Sequence, residues 1–149
     1  MRQYPKHIAA KASLQLPYSE DGIRDYIEEQ LRKYKNKTFY NKNLNVNILV
    51  TADSIAETAQ NCRPNRQAAK LALHLPYILR NAKIKELHLP VISKKQRNRF
   101  RFTEIAKMSC NIPHVGIAKI VVGYRKNGEI IEYSITNLQT RNKTSQFEF

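Results

Sequence analysis

The chain has 149 residues, with 26 lysine and arginine side chains against 12 aspartate and glutamate side chains and a formal net charge of +14. The length predicts one domain, residues 1–149, that buries a core of its own. No apolar run approaches the ~20 residues of a transmembrane helix, which argues against a membrane protein. A basic excess of this size is typical of polyanion-binding proteins, and nucleic acid is the first candidate because neutralised phosphates release counterions. The alternative is that the surplus lysine only keeps the protein soluble.

Cysteine, glycine and histidine usage argues against several kinds of cofactor. Cys62 and Cys110 are far apart in the chain and form no disulfide framework, so they predict reduced thiols in a cytoplasmic protein. Four glycines cannot build a glycine-rich phosphate loop or a dinucleotide fingerprint. No histidine has metal-ligand spacing to another histidine, a cysteine or a carboxylate. We therefore expect no cofactor and no metal.

The two ends of the chain, 1–17 and 139–149, are predicted to be loosely ordered. The first of them carries charge but lacks the apolar stretch of a signal peptide. We expect the folded part of the domain to lie between them.

The first half of the chain predicts helices and one short strand. Ser19 is the expected N-cap of a helix whose apolar residues recur at helical spacing as far as Tyr34. A strand is predicted at 46–50, where apolar residues alternate. Thr51 or Asp53 is then expected to cap a brief second helix.

That second helix carries Ser54 and Glu57. After it, residues 65–81 form an Ala/Leu-rich segment that predicts a helix kinked or split at Pro76. From Glu86 onward, β-type patterns dominate, so the sequence predicts helices first and strands last.

Basic and aromatic residues alternate in the segment 94–102. On a strand, its three arginines would share one face and its two phenylalanines the other. A flexible basic tail would not need buried aromatic residues between its arginines. We interpret the segment as a positively charged sheet face presented by a folded core. Its candidate nucleic-acid-binding residues are Lys94, Lys95, Arg97, Arg99 and Arg101.

A C-terminal hairpin is predicted in detail, because Asn127-Gly128 is the strongest short hairpin signal. With those two residues as the loop, Lys126 faces Glu129 and the register follows. The pairs predicted on the core face are Tyr124–Ile131, Val122–Tyr133 and Ile120–Ile135. The pairs predicted on the open face are Lys119–Thr136, Val121–Ser134 and Gly123–Glu132.

The arginine strand and the hairpin could belong to one sheet. Lys119, Ser134 and Thr136 would then share its open face with the arginines. Cations on such a face can contact phosphate oxygens, and hydroxyls can hydrogen-bond to a substrate or orient a nucleophile. An ordinary solvated face with cross-strand polar pairs explains the pattern equally well.

The histidines are weaker candidates. His88 is expected on the polar side of a strand, where an exposed imidazole titrates near neutral pH. His74 lies within an apolar run and is predicted to be a core residue. His114 falls in an expected loop.

The order of segments resembles a known group of proteins. The matching residues are Lys37-Thr38-Phe39-Tyr40-Asn41, Ile48-Leu49-Val50, Ser54-Ile55-Ala56-Glu57-Thr58, Leu75 to Ala82, Gly116 to Gly123, and Tyr133-Ser134-Ile135-Thr136. Together they resemble the phage-associated domains of the barnase–EndoU–colicin–RelE-like nuclease superfamily, from about Lys35 to Asn137. The resemblance implies an α+β fold in which N-terminal helices pack on a curved antiparallel sheet of about four strands. It also implies metal-independent RNA cleavage in active members.

The same resemblance implies roles for individual residues. Four residues match positions that recur in the group: Ser54, Glu57, Ser134 and Thr136. Ser54 is also a candidate for binding nucleic acid. The residues that would stabilise the phosphate are Arg99, Arg101 and Lys119. His88 or Glu57 would carry the proton. The chain departs from the group in one respect, because no histidine lies on the hairpin strands, where several superfamily toxins keep a base.

Three functions therefore remain open. The first is a small phage or mobile-element RNase that cleaves tRNA or another structured RNA, with an immunity or antitoxin protein as a partner. The second is a non-catalytic nucleic-acid-binding module on the same fold. The third is a phage inhibitor of a host defence complex that acts through its basic surface.

Overall fold

The computed structural model describes residues 16–137. The helices are α1 (Glu20–Leu31), α2 (Ala52–Cys62), α3 (Arg66–Ala72) and α4 (Leu75–Asn81), and a 3-10 turn, Arg32–Tyr34, follows α1. The strands are β1 (Thr38–Asn41), β2 (Val46–Leu49), β3 (Lys83–Pro90), β4 (Phe102–Ile112), β5 (Gly116–Arg125) and β6 (Ile130–Asn137). Our expectations for 139–149, and for all but the last two residues of 1–17, lie outside the described part of the chain.

Local sequence signals place the helices. The Ser19 side chain caps α1, as predicted, by accepting from the Gly22 N–H at 3.0 Å. At the start of α2, Thr51 and Ser54 form a capping box in which each side chain accepts from the other's backbone N–H. The predicted long third helix is split into α3 and α4. Pro76 lies in the first turn of α4, where a backbone N–H has no acceptor within the helix, so the N–H that proline lacks is not needed. Among residues 16–137, no helix is long and apolar enough to cross a membrane.

One curled sheet of six strands, in the order β1-β2-β6-β5-β4-β3, forms a half-barrel against the helices. All neighbouring strands are antiparallel except β2 and β6, which pair in parallel where Leu49 meets Ile131. The predicted α+β class is confirmed. The sheet has more strands than the four expected, because the β1–β2 hairpin extends it beyond β6.

The two faces of the sheet bury different side chains. Successive residues of β4 point to opposite faces, so Ala106 and Met108 enter the main core beneath the helices, whereas Ile105 enters a second cluster. The buried members of that second cluster are Phe100, Phe102, Ile105, Ile131 and Tyr133. Both faces of the central strands are therefore at least partly covered.

The β5–β6 hairpin differs from its prediction near the turn. The loop has three residues, Lys126 to Gly128, with Gly128 in the left-handed region at φ 95°. A bulge at Tyr133 then restores the predicted register, so the pairs farther from the turn are as expected: Lys119–Thr136, Ile120–Ile135 and Val121–Ser134. The pairs nearer the turn were predicted wrongly and are Val122–Glu132, Gly123–Ile131 and Tyr124–Ile130.

Candidate active site

Polar residues on one side of α2 face β6 and the segment before β4. They recur at helical spacing of three to four residues, which puts them on a common face: Asp53, Ser54, Glu57, Thr58 and Asn61. Apolar residues on the other side, including Ile55 and Ala59, pack into the main core and fix the orientation of the helix. The polar face therefore lies at the join between the helix, the sheet and the basic segment.

Glu57 is the centre of this group, and its side chain is 10% exposed. Lys95 Nζ donates to Glu57 Oε1 at 3.0 Å and lies 3.4 Å from Oε2. The Tyr133 hydroxyl donates to Oε2 at 3.2 Å, and Asn61 Nδ2 lies 3.4 Å from the same oxygen. Asn61 Nδ2 also donates to Ser134 Oγ at 2.6 Å. A carboxylate, an ammonium group, a phenol and a serine hydroxyl are thus joined in one hydrogen-bonded group.

The segment predicted as an arginine strand is instead a helical turn. Residues 94–101, here called the basic turn, contain one turn of π-helix, Lys95–Arg99, closed by the Phe100 N–H donating to the Lys95 carbonyl at 3.1 Å. Ser93 begins it by accepting from two backbone N–H groups. Arg101, at φ 61°, then redirects the chain into β4. The prediction of a strand was wrong, because it relied on the alternation of polar and apolar residues. A single helical turn followed by one left-handed residue also exposes Arg99 and Arg101 and buries Phe100 and Phe102.

Aromatic packing holds the basic turn on the sheet. The Phe100 and Tyr133 rings meet edge to face with centroids 4.9 Å apart, and Phe102 lies 5.3 Å from Phe100 and 5.7 Å from Tyr133. Both phenylalanines are buried while Arg99 and Arg101 are exposed. The prediction that the phenylalanines are buried between exposed arginines is therefore confirmed, although these residues lie on a helical turn and not on a strand.

A second ion pair joins the basic turn to α2. Arg99 donates to Asp53 Oδ1 at 2.9 Å, and both side chains are about half exposed. The other three cations of the turn, Lys94, Arg97 and Arg101, are exposed and form no ion pair with the described residues. The turn therefore presents both paired and unpaired cations to solvent.

Of the hairpin candidates, Ser134 contacts this group through Asn61. Lys119 is paired with Thr136 across the β5–β6 ladder and is only 5% exposed, so its ammonium group is not on an open surface. Ser134 is buried and bonded to Asn61. Thr136 is placed by its backbone only, because its side chain lies outside the described part of the structure.

His88 lies apart from the group around Glu57. It is on edge strand β3, where its Nδ1 is 2.7 Å from Glu104 Oε1 and its ring is 5.6 Å from that of Tyr124. Its partners belong to β4 and β5, and no described contact joins it to α2 or the basic turn. His74, in contrast, is buried as predicted.

Burial shifts two pKa values in and beneath the group. Desolvation and the adjacent Glu57 raise the pKa of Tyr133 to about 12, so its hydroxyl keeps its proton at neutral pH. Glu132 is fully buried, and desolvation raises the pKa of its carboxyl to about 8, although the Thr58 hydroxyl donates to Oε2 at 2.7 Å. Glu132 is therefore largely protonated at neutral pH.

The structure thus brings together four predicted residues, Glu57, Lys95, Arg99 and Ser134. Ser54 is fully buried on the same side of α2, where its hydroxyl belongs to the capping box. The structure adds four residues that the sequence interpretation missed: Asp53, Asn61, Glu132 and Tyr133. The period of four along α2 was a visible signal for Asp53 and Asn61. In the part of the chain that the structure describes, no group of three or more His, Cys, Asp or Glu residues could hold a metal ion.

Fold and site together define a small basic α+β domain with a hydrogen-bonded group of polar and charged side chains where its second helix meets its sheet. Residues 19–133 match the family large polyvalent protein-associated domain 3, and the chain belongs to that family. No curated protein and no solved structure matches the chain significantly.

Proposed function

We propose that this protein binds RNA and cleaves it without a metal ion. The observation that carries the proposal is the Glu57 carboxylate, held between the Lys95 ammonium group and the Tyr133 hydroxyl at the edge of the basic turn. The net charge of +14 supports a polyanionic substrate. The resemblance to the barnase–EndoU–colicin–RelE-like superfamily supports the same chemistry and the same fold class.

In the proposed reaction, Glu57 takes the proton of an RNA 2′-hydroxyl and the 2′-oxygen attacks the adjacent phosphorus. Lys95 and Arg99 neutralise the charge that develops on the phosphate oxygens. The bond from phosphorus to the 5′-oxygen breaks, and Tyr133 gives its proton to that oxygen. Glu57 then gives the proton that it accepted to the Tyr133 phenolate beside it, which restores both groups. The products are a 2′,3′-cyclic phosphate and a 5′-hydroxyl.

Glu57→Gln is expected to abolish cleavage, because the amide keeps the shape of the side chain but cannot accept the proton. Purified protein and variant would be incubated with total RNA in EDTA, and the products resolved on a denaturing gel. We expect discrete fragments from the wild type and a rate at least about 100-fold lower from the variant.

The matched control is Glu104→Gln, which removes another carboxylate paired with a base, His88, outside the group. It should cleave at the wild-type rate. Circular dichroism of both variants would establish that they are folded. A Glu57→Gln variant that is as active as the wild type would show that Glu57 is not the base.

Binding without cleavage is the second candidate function. It is favoured by the fact that both Glu57 oxygens already contact protein groups, and that no histidine contacts them within the described residues. Under this alternative, RNA stays intact at high protein concentration and the binding constant falls steeply with salt. Weak RNA binding together with capture of an acidic protein would instead indicate an immunity partner or a host defence complex.

A further inference from the structure

Two ion pairs of matching spacing connect α2 to the basic turn. Asp53 and Glu57 are four residues apart on the helix, and Arg99 and Lys95 are four residues apart on the turn. Residues at this spacing are neighbours on a helical surface. The two cations are therefore adjacent. The side chain of Lys95 is 46% exposed and that of Arg99 is 55% exposed, and each is paired with a carboxylate of the same chain.

We propose that Lys95 and Arg99 form a binding site for two successive phosphates of an RNA strand, and that Glu57 and Asp53 occupy this site in the free protein. The inference rests on the RNA binding proposed above and specifies where and how it happens. Each carboxylate would stand in for a phosphate and be exchanged for it when the strand binds.

Phosphate is expected to displace the two carboxylates for two reasons. The Asp53–Arg99 pair is about half exposed on both sides and is therefore weak, because solvent and salt screen it, whereas the Arg99 guanidinium can bind phosphate through two parallel hydrogen bonds. The unpaired cations beside the site, Lys94, Arg97 and Arg101, attract further phosphates of the same strand. The basic turn thus favours a polyanion over two isolated carboxylates.

The exchange has a consequence for Glu57. Its Oε1 is the oxygen that Lys95 contacts at 3.0 Å, while Oε2 is also held by Tyr133 and Asn61. A phosphate that takes up Lys95 would release Oε1 and leave Oε2 in place. The free oxygen would then be the proton acceptor, so the base becomes available only when a phosphate is bound beside it.

The test compares Asp53→Asn with Asp25→Asn. Both remove one exposed negative charge and one ion pair, but Asp25 is on α1 and pairs with Arg24 rather than with the basic turn. Affinity for a short 2′-O-methyl oligouridylate, which lacks a 2′-hydroxyl and cannot be cleaved, would be measured by fluorescence anisotropy. We expect Asp53→Asn to bind about two- to fivefold more tightly than the wild type, and Asp25→Asn to change the affinity by much less.

A second readout follows the carboxylates directly. The ¹³C resonance of the Glu57 carboxyl carbon should shift when the oligonucleotide is added to the wild type. The Lys95→Ala variant should bind the oligonucleotide more weakly than the wild type. Equal affinities of Asp53→Asn and Asp25→Asn, or no binding by either the wild type or Asp53→Asn, would overturn the inference. Binding with the expected ranking but no cleavage of ordinary RNA would refute the proposed catalysis and leave this binding site standing.

Discussion

Glu132→Gln is expected to flatten the pH dependence of the free energy of unfolding between pH 6.5 and pH 8. Burial raises the pKa of the wild-type carboxyl from 4.5 to about 8. The folded chain therefore keeps a proton on Glu132 in a range where the unfolded chain has released it. The contribution of this group to stability is complete below pH 4.5, decreases by about 1.4 kcal/mol per pH unit above it, and levels off beyond pH 8.

Neighbouring ionisable groups determine where this effect is clearest. Glu57 faces Glu132 from α2, and its negative charge adds to the rise in the Glu132 pKa. Burial raises the pKa of the Cys62 thiol far above the range. Burial lowers the pKa of His74 from 6.5 to about 4, so its own linkage to folding ends near pH 6.5. Between pH 6.5 and pH 8, Glu132 should therefore reduce wild-type stability by about 2 kcal/mol.

Urea unfolding at several pH values across this range would measure the slope. The glutamine side chain still accepts from the Thr58 hydroxyl, so the comparison concerns the slope rather than the absolute stability. Glu129→Gln, in the same hairpin, is the control, because its carboxyl is exposed and a hydrogen bond from Arg125 lowers its pKa. The control should follow the wild type, and a Glu132→Gln profile with the wild-type slope would contradict a protonated buried carboxyl.

Much of the helical half of the fold follows from local signals. The hydroxyl of Ser19, the capping box of Thr51 and Ser54, and Pro76 act within one turn of their own positions, so a single sequence is enough to locate them. The parallel pairing of β2 with β6 depends on packing between distant segments. No local pattern predicts it, and the expected strand number was too low for that reason.

The hairpin shows two errors that cancel. The loop is one residue longer than predicted because it includes Lys126 from the β5 side, and the bulge at Tyr133 compensates with one extra residue on β6. The predicted register is therefore correct for Val121 and for the pairs farther from the turn, and wrong for the pairs between Val122 and the turn. The bulge puts Tyr133 with the aromatic residues of the second cluster and Glu132 against α2, and these tertiary contacts outweigh strict alternation along β6.

The candidate site was predictable where residue type and helical period coincide. Glu57 and Lys95 were both candidates from the sequence. They are in contact because α2 and the basic turn each place charged residues on the side that faces the other. Tyr133 was not, because its position depends on the bulge. His88 was a candidate through its chemistry alone, and chemistry does not determine which strand edge a residue occupies.

Gly123→Ala is expected to destabilise the protein by about 1–3 kcal/mol, although alanine normally suits a strand better than glycine. The aromatic ring of Phe102 lies where a Cβ on Gly123 would be. Gly123 pairs with Ile105 on β4 and with Ile131 on β6, so the backbone has little room to move away. The added methyl group would therefore displace the ring.

A double-mutant cycle with Phe102→Ala tests this reason for the effect. Phe102→Ala alone should cost about 3–5 kcal/mol, because it leaves a cavity among buried rings. In that background, Gly123→Ala should become neutral or stabilising by about 0.5 kcal/mol, since the methyl group then fills vacated space and restricts the unfolded chain. Urea unfolding at one pH gives all four free energies, and Phe102→Leu offers a milder background. The same loss in both backgrounds would mean that the Phe102 ring does not occupy this space. Because Phe102 also packs against Phe100 and Tyr133, the aromatic support of the basic turn over β5 would then need another explanation.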